Sequence, residues 1–175
     1  DGTPVNLGSP AVSDICDSGP SVTNDAPAVF PLGMTVVTWT ATDASGNSAN
    51  ATQNVTVVDT TAPTIHSVTA NPATLGPSNH KMVSVTVTAN VTDICDSAPT
   101  YKIVSVSCNE PVNGKGDGNT DPNCKITGDY TVDLCAERCG KGKGRVYTIT
   151  IEAIDASGNK STAAVYVTVD HDESG

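Results

Sequence analysis

The sequence predicts an all-β chain built as two tandem β-sandwiches. Three observations carry this: period-two alternation of β-branched residues, turn-forming residues bounding each run, and an internal repeat. Alternation runs through residues 36–42, 55–58, 83–88, 146–151 and 165–169. In each run Val, Ile, Thr or Tyr alternate between two faces, as half-buried strands require, and Gly, Asn, Asp and Pro separate the runs. No window carries a helical period.

The repeat fixes the organisation. Asp14-Ile15-Cys16-Asp17-Ser18 recurs as Asp93-Ile94-Cys95-Asp96-Ser97. Asp43-Ala44-Ser45-Gly46-Asn47 recurs as Asp155-Ala156-Ser157-Gly158-Asn159. Each second motif joins two alternating strands, and the strand after it ends in Val58-Asp59 or Val169-Asp170. The boundary is Asp59-Thr60-Thr61-Ala62-Pro63, a short linker stiffened by proline. The domains are therefore 1–59 and 60–175. The second carries an insertion, about 107–128, rich in Gly, Asn, Asp and Pro.

Composition removes several function classes. The 175 residues hold 9 Lys plus Arg against 19 Asp plus Glu, a formal charge of −10. A phosphate backbone needs a basic face, so nucleic acid is not a partner. Aromatics are 3% of the chain, too few for stacking platforms. No apolar run approaches the roughly 20 residues that span a bilayer, so no membrane insertion is expected, and no signal peptide remains. The charge is uneven. Residues 1–59 carry six Asp and no Lys or Arg, hence −6, and the rest carries 13 acids and nine bases, hence −4.

The string Thr38-Trp39-Thr40-Ala41-Thr42-Asp43-Ala44-Ser45-Gly46-Asn47, followed by Val58-Asp59-Thr60-Thr61-Ala62-Pro63, resembles the hyalin repeat (HYR), an immunoglobulin-like module of extracellular proteins. The second copy resembles bacterial surface immunoglobulin-like domains, with its strand start at Asn79-His80-Lys81-Met82 and its Gly-Asp-Gly-Asn insertion. The resemblance implies two tandem immunoglobulin-like sandwiches in an adhesive or structural module at the cell surface. It also implies that the first copy is truncated, lacking the strand before residues 5–13, with an open sheet edge. Trp39 becomes the expected core tryptophan of the first sandwich.

Such a sandwich brings the Asp-Ile-Cys-Asp loop and the Asp-Ala-Ser-Gly-Asn turn to the end where the chain enters. In the second domain this gathers Asp59, Asp93, Asp96, Asp155 and Asn159. Carboxylates about 5 Å apart repel by roughly 3 kcal/mol per pair at an effective dielectric near 20. A hard cation removes that cost, and an oxygen-only set selects Ca²⁺ over zinc or copper. The competing reading is a plain hairpin turn, because Gly and Asn tolerate positive φ and Asp caps the turn. Turn chemistry accounts for Gly46 and Gly158 but not for acids converging from three segments.

The first domain has the matching set Asp14, Asp17, Asp43 and Asn47. Asp170 or Asp172 of a neighbouring molecule would complete it, which makes head-to-tail self-association an expectation. Asp117, Asn119 and Asp121 in the insertion resemble the start of an EF-hand loop, although the later Gly and terminal Glu are missing; Glu110 is the candidate replacement.

The bases gather around Arg138, Lys141, Lys143 and Arg145 in a Gly-rich run expected to be the solvated turn between the fifth and sixth strands. Its sharper reading is a basic end that meets the acidic end of the next subunit. The run lacks the ending of a phosphate-binding loop. Six Cys fit an oxidising compartment but allow 15 pairings. Cys16 stands alone in the first domain, against five in the second. Roughly 27 Å of strand separates equivalent ends of successive domains, so Cys139 of a neighbour suits Cys16 better than Cys95 does; the alternative is a free thiol in a buried loop.

No catalytic set emerges. His66, His80 and His171 are scattered, and His80 is expected to serve a structural hydrogen bond. No Gly-x-Ser-x-Gly elbow is present. The aspartates sit in turns, and one Trp does not line a glycosidase cleft. Asn50, Asn54, Asn90 and Asn159 match the glycosylation pattern, which frequent Asn and Thr produce by chance. The expected function is thus a non-enzymatic extracellular module, calcium-stiffened at its joints and able to form a head-to-tail filament or meet other surface or matrix proteins. The alternatives are a spacer within a larger adhesin and an accessory module of a secreted hydrolase.

Overall fold

The computed structural model describes residues 2–110, 123–137 and 144–169. These residues are all-β, and the chain divides into two compact units, Asp1–Asp59 and Thr60–Gly175. The five alternating runs lie in strands, except for Val58, which falls one residue past the strand that holds its run. The readings placed on Asp117, Asn119, Asp121, Cys139, Asp170 and Asp172 fall outside the described residues.

The first unit is one antiparallel sheet of β1 (Ser21–Asn24), β2 (Gly33–Thr42) and β3 (Ser48–Val57), in that order. Its register sets Thr35 opposite Val55 and Trp39 opposite Ala51. Odd-numbered residues of both long strands therefore share a face, and that face gathers Val37, Val55 and the loop residue Phe30 as a small core. Trp39 is not at its centre. It is half-buried and packs against this core, and its indole N–H donates to Gln53 Oε1 at 2.9 Å. The segment facing the sheet makes one bridge, between Thr3 and Phe30, and residues 4–20 form no strand. This stretch turns instead on local bonds, with Asn6, Asp14 and Asp17 side chains accepting from backbone N–H groups two or three residues on.

The second unit is a sandwich of two four-stranded sheets. One sheet runs β5 (Thr74–Leu75), β11 (Lys160–Val169), β10 (Arg145–Ile154), β7 (Thr100–Cys108). The other runs β4 (Thr64–Asn71), β6 (Met82–Thr92), β9 (Thr131–Cys135), β8 (Cys124–Ile126). Strand β10 alternates strictly, burying Arg145, Tyr147, Ile149, Ile151 and Ala153. Tyr147, Ile149 and Ile151 pack with Leu75, Val85, Val87, Val132, Leu134 and Val167. Strand β8 lies inside the stretch read as an insertion, so the end of that stretch is part of the sandwich.

Arg145 departs from the sequence expectation. It is fully buried, not part of a solvated basic turn. Its guanidinium donates to Glu137 Oε1 at 3.1 Å and to Glu110 Oε2 at 3.4 Å, and lies 5.9 Å from the Tyr147 ring centre. Burial opposes the charge, but Tyr147 and Glu137 outweigh it and hold Arg145 protonated. A charge this deep persists only when paired and hydrogen-bonded. Tyr147 completes the network by donating to Cys135 O at 2.8 Å, and burial pushes its hydroxyl up to about 12. His80 fills its structural role, with Nδ1 3.4 Å from Glu137 Oε2.

Candidate metal centre

Both copies of the repeat fold into the same hydrogen-bonded device. In the first unit Asp14 Oδ1 accepts from Cys16 N and Asp17 N, each at 2.8 Å. In the second, Asp93 Oδ1 accepts from Cys95 N at 2.8 Å and Asp96 N at 2.9 Å. A short carboxylate reaching its own chain two and three residues on is what sets such a turn. The next acid ties this loop to the hairpin. Asp17 Oδ2 accepts from Ala44 N at 2.9 Å, and Asp96 Oδ2 accepts from Ala156 N at 2.8 Å.

The hairpin turns match as well. Asp43 Oδ1 accepts from Asn47 N at 2.8 Å, and its Oδ2 from Asn47 Nδ2 at 2.7 Å. Asp155 Oδ1 accepts from Asn159 N at 2.8 Å, and its Oδ2 from Asn159 Nδ2 at 2.9 Å. Gly46 and Gly158 stand at φ of 88° and 90°, a conformation that costs other residues roughly 1–2 kcal/mol. The side-chain and backbone donors of Asn47 hold the Asp43 carboxyl below its usual range. Burial pushes Asp155 up, but the Asn159 donors outweigh it and hold that carboxyl below its usual range too.

The acids therefore have different tasks. Asp17 and Asp96 use both oxygens on backbone N–H groups, and Asn47 and Asn159 direct their amide N–H to the turn aspartates. A converging set remains. Carboxylate oxygens of Asp59, Asp93 and Asp155 lie within 4.8 Å of one another. Among the described residues this is the one group of three or more potential ligands so close together. Asp155 is buried, Asp59 and Asp93 are partly buried, and Asp93 Oδ2 is a buried acceptor with no hydrogen bond. Three anionic oxygens at this spacing, one of them unused, fit a hard divalent cation such as Ca²⁺. Its chemistry there would be charge neutralisation, with Asp59, Asp93 and Asp155 as the protein ligands.

In the first unit Asp14, Asp43 and Asn47 line an open hollow of about 180 Å³ with Val12 and Pro20, and no third acid joins Asp14 and Asp43 among the described residues. Glu110, the candidate ligand for the insertion, is engaged with Arg145 instead. Cys16 lies in an exposed loop, not a buried one. The sequence reading missed the Arg145, Glu137 and Tyr147 network. The signal was present, since the period of two that places Tyr147 and Ile149 inward also places Arg145 inward.

Immunoglobulin-like strand pairing with acid-bearing turns at the end of each repeat defines the class, an all-β modular chain. More particularly, residues 1–57, nearly all of the first unit, match the family model of the HYR domain. The chain is also similar to hyalin of Lytechinus variegatus, being 57% identical over 47 residues, which is 26% of this chain and 9% of hyalin. It thus spans a small fraction of the length of that curated relative.

Proposed function

We propose that this chain is an extracellular, adhesion-type structural module whose repeat is stiffened by Ca²⁺ held by Asp59, Asp93 and Asp155. The observation that carries the reading is the meeting of three carboxylates from separate segments, with one buried oxygen of Asp93 left without a hydrogen bond. Asp59 is the residue before Thr60, the first of the second unit, and an ion there would neutralise its carboxylate together with those of Asp93 and Asp155. The HYR match and the likeness to hyalin support the extracellular and adhesive setting, and a non-catalytic role.

Calorimetric titration of the whole chain with Ca²⁺ tests it. Saturable binding is expected, lost in Asp93→Asn and in Asp155→Asn and kept in Asp17→Asn. Absence of binding at millimolar Ca²⁺ contradicts the reading. Self-association is the further step: Asp14 and Asp43 supply an incomplete set that an acid of a neighbouring module completes. Light scattering then shows multimers in Ca²⁺ that chelator disperses, and a monomer in both conditions removes the filament. The small share of hyalin covered favours a second reading, a spacer within a longer adhesive array, and a monodisperse chain that still binds Ca²⁺ selects it.

A further inference from the structure

The second unit closes its sandwich along one side with the edge strands β7 and β8, one from each sheet. Their Cα atoms approach within 8 Å. Each strand places a cysteine on its inner face. Cys108 pairs with Tyr147 in the ladder, and Cys124 pairs with Leu134. Directly opposed residues of an antiparallel pair point to the same side, and Tyr147 and Leu134 are both buried in the core. Cys108 and Cys124 accordingly pack against that core from opposite sheets.

They also stand at the same level of the sandwich. The Tyr147 hydroxyl reaches across to Asn123 O at 3.2 Å, the carbonyl just before Cys124, while the Tyr147 backbone lies beside Cys108. Burial and the neighbouring Cys108 thiol push Cys124 above its usual range, with Arg145 opposing.

We infer that Cys108 and Cys124 are the partners of a disulfide that staples the two sheets along the β7–β8 edge. The inference rests on the extracellular setting for its oxidant, a small-molecule disulfide, and is independent of Ca²⁺. One thiolate attacks the oxidant's S–S bond and forms a mixed disulfide. The second thiolate then displaces the remaining thiol. The cysteines lose two electrons and two protons, an S–S bond forms, and the oxidant leaves as two thiols. The bridge makes a covalent ring of residues 108–124, and both of its ends are held in strands of the sandwich.

Trypsin resolves the question, because its sites separate these cysteines from Cys135 and Cys139. Cys108 falls in peptide 103–115, Cys124 in 116–125, Cys135 in 126–138 and Cys139 in 139–141. The whole chain is refolded in a glutathione redox buffer, alkylated, digested and weighed without reduction. The expected result is 103–115 joined to 116–125, with both cysteines lost from the alkylated pool. Reductant then lowers the Tm of the wild type by several degrees and leaves the Cys108→Ser/Cys124→Ser double variant unmoved. Alkylation of both cysteines, or a bridge from either to another peptide, overturns the pairing. The wild-type digest stands even if the double variant fails to fold. A missing bridge leaves Ca²⁺ titration unaffected, so the two readings fail separately.

Discussion

The two acid-bearing turns use one set of hydrogen bonds in two surroundings. Asp14, Asp17, Asp43 and Asn47 repeat nearly atom for atom what Asp93, Asp96, Asp155 and Asn159 do. Yet Asp155 is buried and joins Asp59 and Asp93, whereas Asp43 borders an open hollow. The local geometry is thus autonomous: short side chains bonding to nearby backbone fix it wherever the motif is placed. Convergence of charge is not local. It depends on a third segment arriving at the same point, and only the second turn receives one among the described residues.

The cores differ in the same sense. The first unit buries Phe30, Val37 and Val55, while the second buries a dozen residues between two complete sheets. The largest effect should therefore be confined to the second unit. Arg145→Ala leaves buried Glu137 and partly buried Glu110 without their cation, and should cost about 3–5 kcal/mol in denaturant titration. The Trp39 fluorescence of the first unit should be unchanged. A small loss would mean that the Arg145 pocket admits water.

Calcium comes next. At a hundredfold excess over its dissociation constant, Ca²⁺ should stabilise the wild type by about 2.7 kcal/mol and Asp93→Asn not at all. Equal stabilisation of both would place the ion elsewhere. Gly158→Ala and Gly46→Ala should each cost roughly 1–2 kcal/mol, because both positions require positive φ and neither added methyl meets a neighbouring atom. Similar losses at the two sites confirm that the device is autonomous, while a much larger loss at Gly158 would tie the turn to the acid cluster.

The smallest effects concern pH. The carboxyl of Asp155 is held below its ordinary range, so its contribution is present above that range and fades as pH falls through the lowered value. The Tyr147 hydroxyl has the opposite sense. Its contribution is complete below pH about 10 and declines as pH rises toward about 12. Tyr147→Phe should flatten the alkaline part of the stability profile, and an unchanged slope would assign that loss to other groups.

Much of this was legible in the residues. Alternation located β2, β6, β10, β11 and the end of β3, because a face packed on a core must repeat every second residue, and the repeat located both turns; β4 and β7, eight and nine residues long, were not located. Short strands were harder. Strand β8 has three residues and no period to display, and it hides in a Gly- and Asn-rich stretch. The acids were legible as a cluster, but their division of labour was not. Asp96 and Asp93 are the same residue type three positions apart, and only the fold decides which one ties loops and which keeps a buried oxygen unused. Arg145 was misread because a Gly- and Lys-rich neighbourhood masked its place at the first inward position of β10.

Backbone hydrogen exchange on dilute protein, with and without Ca²⁺, tests the central claim most directly. Protection should rise at the amides of Cys95, Asp96 and Asn159, beside the Asp59, Asp93 and Asp155 carboxylates. It should stay unchanged at Cys16, Asp17 and Asn47. Equal protection of both turns, or of neither, would contradict the account.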